Sequence, residues 1–202
     1  NAQNPNRQAK LYKVMPELFF PDAEYSLWID GNVSLIHPFD IHRLISLFLA
    51  EADMCVARHH VRACLYQEAA VCRARRLDSA RVIDRQMARY RQEGFPAWYG
   101  LNHAALILRR HSARVKNFNQ QWWQEICQGS RRDQLSFNYV LWKVGLPIAE
   151  FPFSIQDNNG LFARGAHARR RPLRQSGWPD LRVRMLQMEA FHFGSPTPTE
   201  ST

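Results

Sequence analysis

Apolar positions along this chain fall into short runs separated by helical stripes. Residues 7–19, RQAKLYKVMPELF, place Leu11, Val14, Met15 and Leu18 at helical spacing, interrupted by Pro16. A five-residue strand, Tyr25 to Ile29, follows and ends on Asp30-Gly31-Asn32. Pro38 and Asp40 then suit a helix start, because proline has no N–H to leave unpaired and an acid complements the positive end of the helix dipole. That helix carries Ile41, Leu44, Ile45, Phe48 and Leu49 on one stripe. MCVA at 54–57 is a second strand, running into RHHVR; two helices broken near Leu77-Asp78 come next, and HAALILRR at 103–110 is a third apolar run. The segment 113–129 puts Val115, Phe118, Trp122 and Ile126 on one helical face, with Gly129 as its stop. Ser130 and Asp133 match the S-x-x-D capping box of a further helix reaching about Lys143, and LPIAEFPFSI is a last extended segment.

Short apolar strands alternating with helices predict an α/β layered domain with a largely parallel sheet. In such sheets ligands bind beyond the carboxyl ends of strands. The polar residues that terminate the apolar runs are therefore the candidates: Asp30-Gly31-Asn32, Arg58-His59-His60, and the groups around Arg110 and Arg132.

Composition narrows the class. A chain of 202 residues with 46% hydrophobic content can bury one full core. No window of about 18 apolar residues exists, and the polar start NAQNPNRQAK has no apolar signal core. A soluble protein is expected, cytoplasmic or peripherally attached to a membrane. The chain opens without Met in what reads as a helix approach, so upstream residues are expected to be missing. Cys55, Cys64, Cys72 and Cys127 show no CxxC pair and read as reduced thiols, with Cys64 and Cys72 facing the core from one helix. The formal charge of +9 is concentrated at Arg164, Arg169, Arg170, Arg171, Arg174, Arg182 and Arg184, opposed locally only by Asp180. Such a segment suits an anionic partner or is simply a solvated loop; residues 169–202 read as that basic loop and a low-complexity tail.

Asp30 and Asn32 flank a glycine, so in a tight strand-end turn both side chains can present oxygens to a hard cation such as Mg²⁺ or Mn²⁺. Asp-Gly-Asn is equally an ordinary turn composition. The wider pattern separates these readings. YSLWIDGNV resembles the strand-plus-D-x-D signature of nucleotide-sugar glycosyltransferases of the GT-A fold, LNHAALILRR resembles their Asn-containing strand, and SRRDQLSFNYVLWK their Asp-Gln helix start. Together with AKLYKVMPELFFPDAEYSLWIDGN and RHHVRACLYQEA, these motifs are similar to a glycosyltransferase-like family of formerly unknown function, seen in bacterial surface-polysaccharide proteins and plant Golgi proteins. The resemblance covers roughly residues 7–168 and implies a GT-A-like, Rossmann-related domain over 1–168 lacking its N-terminal strands. The second acid of the signature is Asn32 here, as in the resembling family.

The resemblance implies a nucleotide-diphosphate sugar donor and a glycan or other hydroxyl acceptor, with transfer in polysaccharide biosynthesis. Asp30, Gly31 and Asn32 would meet the donor, and Asp30, Asn32 and His167 a Mn²⁺ or Mg²⁺ ion. Lys10, Lys13, Arg58, His59, Arg62, Arg132 and Gln134 would bind donor or acceptor oxygens. Asp133 would serve as general base, against its alternative as a helix cap, and Glu68 is either a second acid for that role or an ion-pair partner. Trp122 is expected in the core, with Trp123 open to sugar stacking. His111 and His192 read as satisfied histidines rather than ligands. A non-catalytic binding module using the arginine segment, or an inactive truncated transferase, is the competing reading. Nucleic acid is not the expected partner, since no aromatic-interleaved RNA-binding signature is present.

Overall fold

The computed structural model describes residues 5–35, 40–153 and 162–164. Helix α1 (Pro5–Val14) ends before Pro16, which opens a short 3-10 turn, and strand β1 (Tyr25–Ile29) follows. A three-residue β2 (Val33–Leu35), α2 (Ile41–Phe48), β3 (Met54–Arg58), α3 (Leu65–Ala74) and α4 (Ala80–Gln92) lead to the nine-residue β4 (Asn102–Arg110). Helices α5 (Ala113–Gln128) and α6 (Gln134–Val144) precede β5 (Ala149–Phe151) and β6 (Phe162–Arg164). Among the described residues, no helix is long and apolar enough to cross a membrane.

The main sheet has the order β1-β4-β3-β5, and β2 pairs separately with β6. This corrects the expectation of a largely parallel sheet: β4 runs antiparallel to both β1 and β3, and only β3 and β5 are parallel. The expectation failed because an unbroken apolar run reports burial on both faces of a strand and not its direction. Met54 and Val56 point into one core with Ile107, Trp122, Phe137 and the helical side chains of α3 to α6. Cys55 and Ala57 point into a second core with Leu106, Leu108, Leu44 and Leu49 beneath α2.

Local signals set most helix ends. Asp40 caps α2 by accepting a hydrogen bond from His42 N at 2.9 Å; Pro38, assigned from sequence to that helix start, lies outside the described residues. Ser112 caps α5, and Gly145, at φ +60°, stops α6 in the left-handed conformation glycine tolerates. The capping box expected at Ser130 and Asp133 does not form. Ser130 Oγ donates to Asp78 Oδ2 at 2.7 Å and accepts from Arg132 N at 3.1 Å, while Asp133 makes no side-chain cap bond to α6. Its carboxylate is committed elsewhere.

Trp122 is fully buried, packs edge-on against Phe137 and donates its indole N–H to the carbonyl of Asp133 at 3.1 Å. Trp123 is half-buried against the same core. The four cysteines are free thiols; burial pushes the Cys55 thiol up to about 12 and the Cys72 thiol up to about 11, which leaves both unreactive.

Candidate functional site

Because β1, β3 and β5 point the same way and β4 opposes them, three carboxyl ends and the start of β4 share one edge of the sheet. Asp30 sits at that edge with its N–H bonded to Ala105 O at 2.8 Å. Asn102 pairs with Arg58, and His59 N bonds Leu101 O at 2.8 Å. The first turn of α6 arrives at the same edge, where Gln134 donates to the carbonyl of Asn102.

The centre of the site is a group of four charges. Lys13 Nζ lies 3.2 Å from Asp30 Oδ1 and 2.8 Å from Asp133 Oδ2, and Lys10 Nζ lies 2.5 Å from Asp133 Oδ1. Lys10 and Lys13 are three apart on α1, so both ammonium groups leave the same helical face. Trp28 Nε1 donates to Asp30 Oδ1 at 2.7 Å, and its ring lies beneath the Lys13 ammonium at 5.8 Å. Burial alone would lower the pKa of Lys13, but the carboxylates of Asp133 and Asp30 outweigh it and raise the pKa above 10.5. For Asp133, burial would raise the pKa, but Lys13 and Lys10 hold its carboxyl well below the usual carboxylate range. Lys13 and Asp133 are thus both charged at neutral pH, and the cluster sets two lysines against two aspartates.

Fully buried Arg109 supports this group from below. It donates to the carbonyl of Lys13 at 2.5 Å and to Asn119 Oδ1 at 3.0 Å, and Asn119 bonds Glu17 at 2.9 Å. The end of α1 is therefore fixed to the C-terminal part of β4. Burial lowers the Arg109 pKa to about 10, still well above neutrality.

A second network runs along the edge. Asn102 N donates to Asn138 Oδ1 at 2.9 Å, Asn138 Nδ2 returns a bond to Asn102 Oδ1 at 2.7 Å, and Asn102 Nδ2 reaches Glu150 Oε1 at 2.9 Å. Arg58 closes the chain on Glu150 Oε2 with two contacts, at 3.0 and 2.6 Å. Arg58, His59, His60, Glu150 and Phe151 to Phe153 line an open cleft of about 500 Å³.

His59, Arg62 and Glu68 form a third group. Arg62 Nε is 2.5 Å from Glu68 Oε2, and His59 Nδ1 accepts from the N–H groups of Val61 and Arg62 at 3.2 and 3.1 Å. Glu68 is therefore held as an ion-pair partner, and His59 anchors the loop after β3. Arg132 lies near Cys72, close to this group. Burial lowers the pKa of His59 to about 4, and that of His111, bonded to Ser26 Oγ at 2.9 Å, to about 4 as well. Both start from an ordinary value of 6.5, so the unfolded chain binds their protons more readily. Unfolding free energy measured at successive pH values should therefore fall as pH drops from about 6.5 towards 4. A flat profile over that interval would show that neither imidazole is kept neutral by the fold.

The structure thus brings Lys10, Lys13, Asp30 and Asp133 into one cluster, and places Gln134, Arg58 and His59 along the same edge. Gly31 is exposed in the turn after Asp30, with Asn32 half-buried beside it. His167, His192 and the arginines from Arg169 to Arg184 lie outside the described residues. Sequence reasoning missed Trp28, Asn102, Asn138 and Glu150. Asn102 stood inside a recognised motif, but nothing in the spacing signalled that its partners would come from α6 and β5.

A divalent cation can be tested against these residues. Among the described residues no cluster of three His, Cys, Asp or Glu side chains could hold one unaided. The bonds that Asp30 makes among the described residues fall on Oδ1.

Fold and edge together define an α/β domain with a compact ionic site beyond the carboxyl ends of its strands. The chain belongs to the TOD1/MUCI70 glycosyltransferase-like domain family, which matches residues 2–163. It is 30% identical over 148 residues to "Probable hexosyltransferase MUCI70" of Arabidopsis thaliana, an alignment covering 68% of this chain and 25% of that protein. It is 29% identical over 148 residues to "Alkaline ceramidase TOD1" of the same plant, covering 68% of this chain and 32% of the relative. The chain therefore spans only a quarter to a third of these curated relatives. No solved structure matches it.

Proposed function

We propose that this domain is GT-A-like and transfers a sugar, in surface polysaccharide synthesis, from a nucleotide-diphosphate donor to a hydroxyl of a glycan. The observation that carries the reading is the buried ammonium of Lys13, which ties Asp30 at the end of β1 to Asp133 at the start of α6. Glycosyl transfer develops negative charge on the departing diphosphate, and preorganised cations near it lower the barrier. Since the cluster sets two lysines against two aspartates, an incoming diphosphate needs either a cation arriving with it or a lysine that changes partners. Asp30 and Asn32 are the residues that would hold such a Mg²⁺ or Mn²⁺, which when bound would neutralise phosphate charge.

Lys10 is the lysine able to change partners, because its side chain is 23% exposed while that of Lys13 is 6% exposed. When Lys10 turns to phosphate, Asp133 keeps only Lys13 and its carboxylate regains basicity. Asp133 then accepts the proton of the acceptor hydroxyl. Arg132 and Gln134 flank it; Gln134 mainly fixes the start of β4, Arg58 and His59 line the cleft at the neighbouring strand end, and Arg62 is paired with Glu68.

The test is a thermal-shift screen of UDP-, GDP- and CMP-sugars with and without Mn²⁺ or Mg²⁺. One nucleotide sugar should raise the melting temperature, with stabilisation of about 2.7 kcal/mol at a hundredfold excess over its dissociation constant. Absence of a shift with every donor, together with fatty-acid release from a ceramide, would replace this reading with an amidase.

A further inference from the structure

Within the loop between α4 and β4, the stretch 95–101 reads FPAWYGL and holds no charged side chain. Its two ends are fixed. Phe95 is buried against Tyr90, Tyr139 and Trp142, and its carbonyl accepts the Tyr66 hydroxyl at 2.8 Å. Leu101 is buried, and its carbonyl holds His59 N at 2.8 Å. Between these anchors Trp98 stands 65% exposed and Tyr99 44% exposed.

Trp98 also adopts φ +66°, a left-handed conformation that is costly for a bulky residue with a Cβ. A glycine would take it freely, as Gly100 does nearby at φ +114°. Backbone strain of this kind persists where the surrounding structure imposes it and clusters at ligand sites. Here it holds the largest side chain in solvent, four residues before Asn102, on the same edge as Asp30. The His59 to Leu101 hydrogen bond joins this loop to the cleft lined by Arg58, His59 and Glu150.

We propose that Trp98 is a stacking platform for a pyranose ring of the acceptor glycan. This rests on the transferase reading above, which requires a saccharide or similar hydroxyl acceptor beside the donor. An indole face binds the C–H face of a sugar by dispersion and desolvation, and its N–H remains available to a hydroxyl. A stretch without a cation, preceded by the acid Glu93, does not recruit phosphate, so the platform serves the acceptor and not the diphosphate. Tyr99, whose ring lies 5.5 Å from Phe95, backs the loop from its anchored side.

The experiment compares wild type, Trp98→Ala, Trp98→Gly and Trp98→Phe on a printed array of neutral, acidic and amino-sugar glycans. The same four proteins are tested for nucleotide-sugar thermal shift and for binding to vesicles of phosphatidylcholine and phosphatidylserine. Wild type should bind a subset of glycans. The alanine and glycine variants should lose at least about ten-fold in affinity, and phenylalanine should stay within about three-fold of wild type. Trp98→Gly should melt no lower than wild type, because it relieves the left-handed strain, and this separates lost binding from lost folding. Donor-induced shifts should be the same in all four. Equal glycan binding by all four, no glycan binding by wild type, or Trp98-dependent binding to vesicles alone would overturn the platform. Missing donor shifts with intact Trp98-dependent glycan binding would instead sink the transferase reading.

Discussion

Replacing Asp133 with asparagine should destabilise the domain by about 3–5 kcal/mol, a large fraction of the stability of an ordinary domain. The substitution keeps the shape of the side chain but removes the one acid that faces both Lys10 and Lys13. Lys13 would keep only Asp30, at 3.2 Å, and Lys10 would lose its carboxylate. For a domain of this size the melting temperature should drop by roughly 10 °C. Urea unfolding should show a lower midpoint at an unchanged slope.

The pH dependence carries a second signature of the same group. Asp133 has its folded pKa depressed below 3.8, so its stabilisation is present above that value and is lost as pH falls below it. Lys13 has its folded pKa raised above 10.5, so its stabilisation is present below that value and is lost as pH climbs past it. The asparagine variant should flatten the acid limb below about pH 4 and leave the His59 and His111 contribution between 6.5 and 4 in place. A variant as stable as wild type, with an unchanged acid limb, would mean that the lysines are satisfied without Asp133.

Asp30→Asn should instead combine a large loss of activity with only a small loss of stability. The Asp30 side chain is 36% exposed, and Lys13 would keep its closer partner Asp133 at 2.8 Å. Trp28 can still donate to the asparagine oxygen, so the change in unfolding free energy should be about 1 kcal/mol. Donor turnover should fall by about 10²–10³-fold, the usual consequence of deleting one electrostatic contact to a developing charge. Donor-induced thermal shifts should vanish with it. A variant that keeps full turnover would remove Asp30 from the donor site, whatever its stability.

The two substitutions separate because the cluster joins groups of unequal burial. Asp133 and Lys13 are inside the protein and hold α1 to α6, so their loss is felt as unfolding. Asp30 is at the mouth and can meet a ligand. Family membership says that the chain is glycosyltransferase-like; the contrast between these variants tests whether this ionic group is where that chemistry occurs.

Local sequence determined much of the architecture. Proline at 16, an aspartate cap at 40, a serine cap at 112 and glycines at 129 and 145 bound the helices because each signal acts through backbone geometry within a turn or two. The apolar runs located β1, β3 and β4, and Asp30 was legible as the polar end of a strand. Strand direction was not legible, because β4 buries both faces against two cores and so has the same apolar composition as a parallel strand. Nor was the fate of Asp133. Its spacing from Ser130 matches a helix cap, and only the approach of α1, 123 and 120 residues away in sequence at Lys10 and Lys13, turns it into the partner of two ammonium groups. The same holds for Trp98, one of several tryptophans by composition, whose exposure and left-handed backbone arise from the anchoring of Phe95 and Leu101 in the core. Sequence by itself thus determined the elements and the residue types at their ends, since those rest on short-range backbone chemistry. The pairing of charges and the exposure of one aromatic ring were decided by tertiary packing, because burial and distance exist only once distant segments meet.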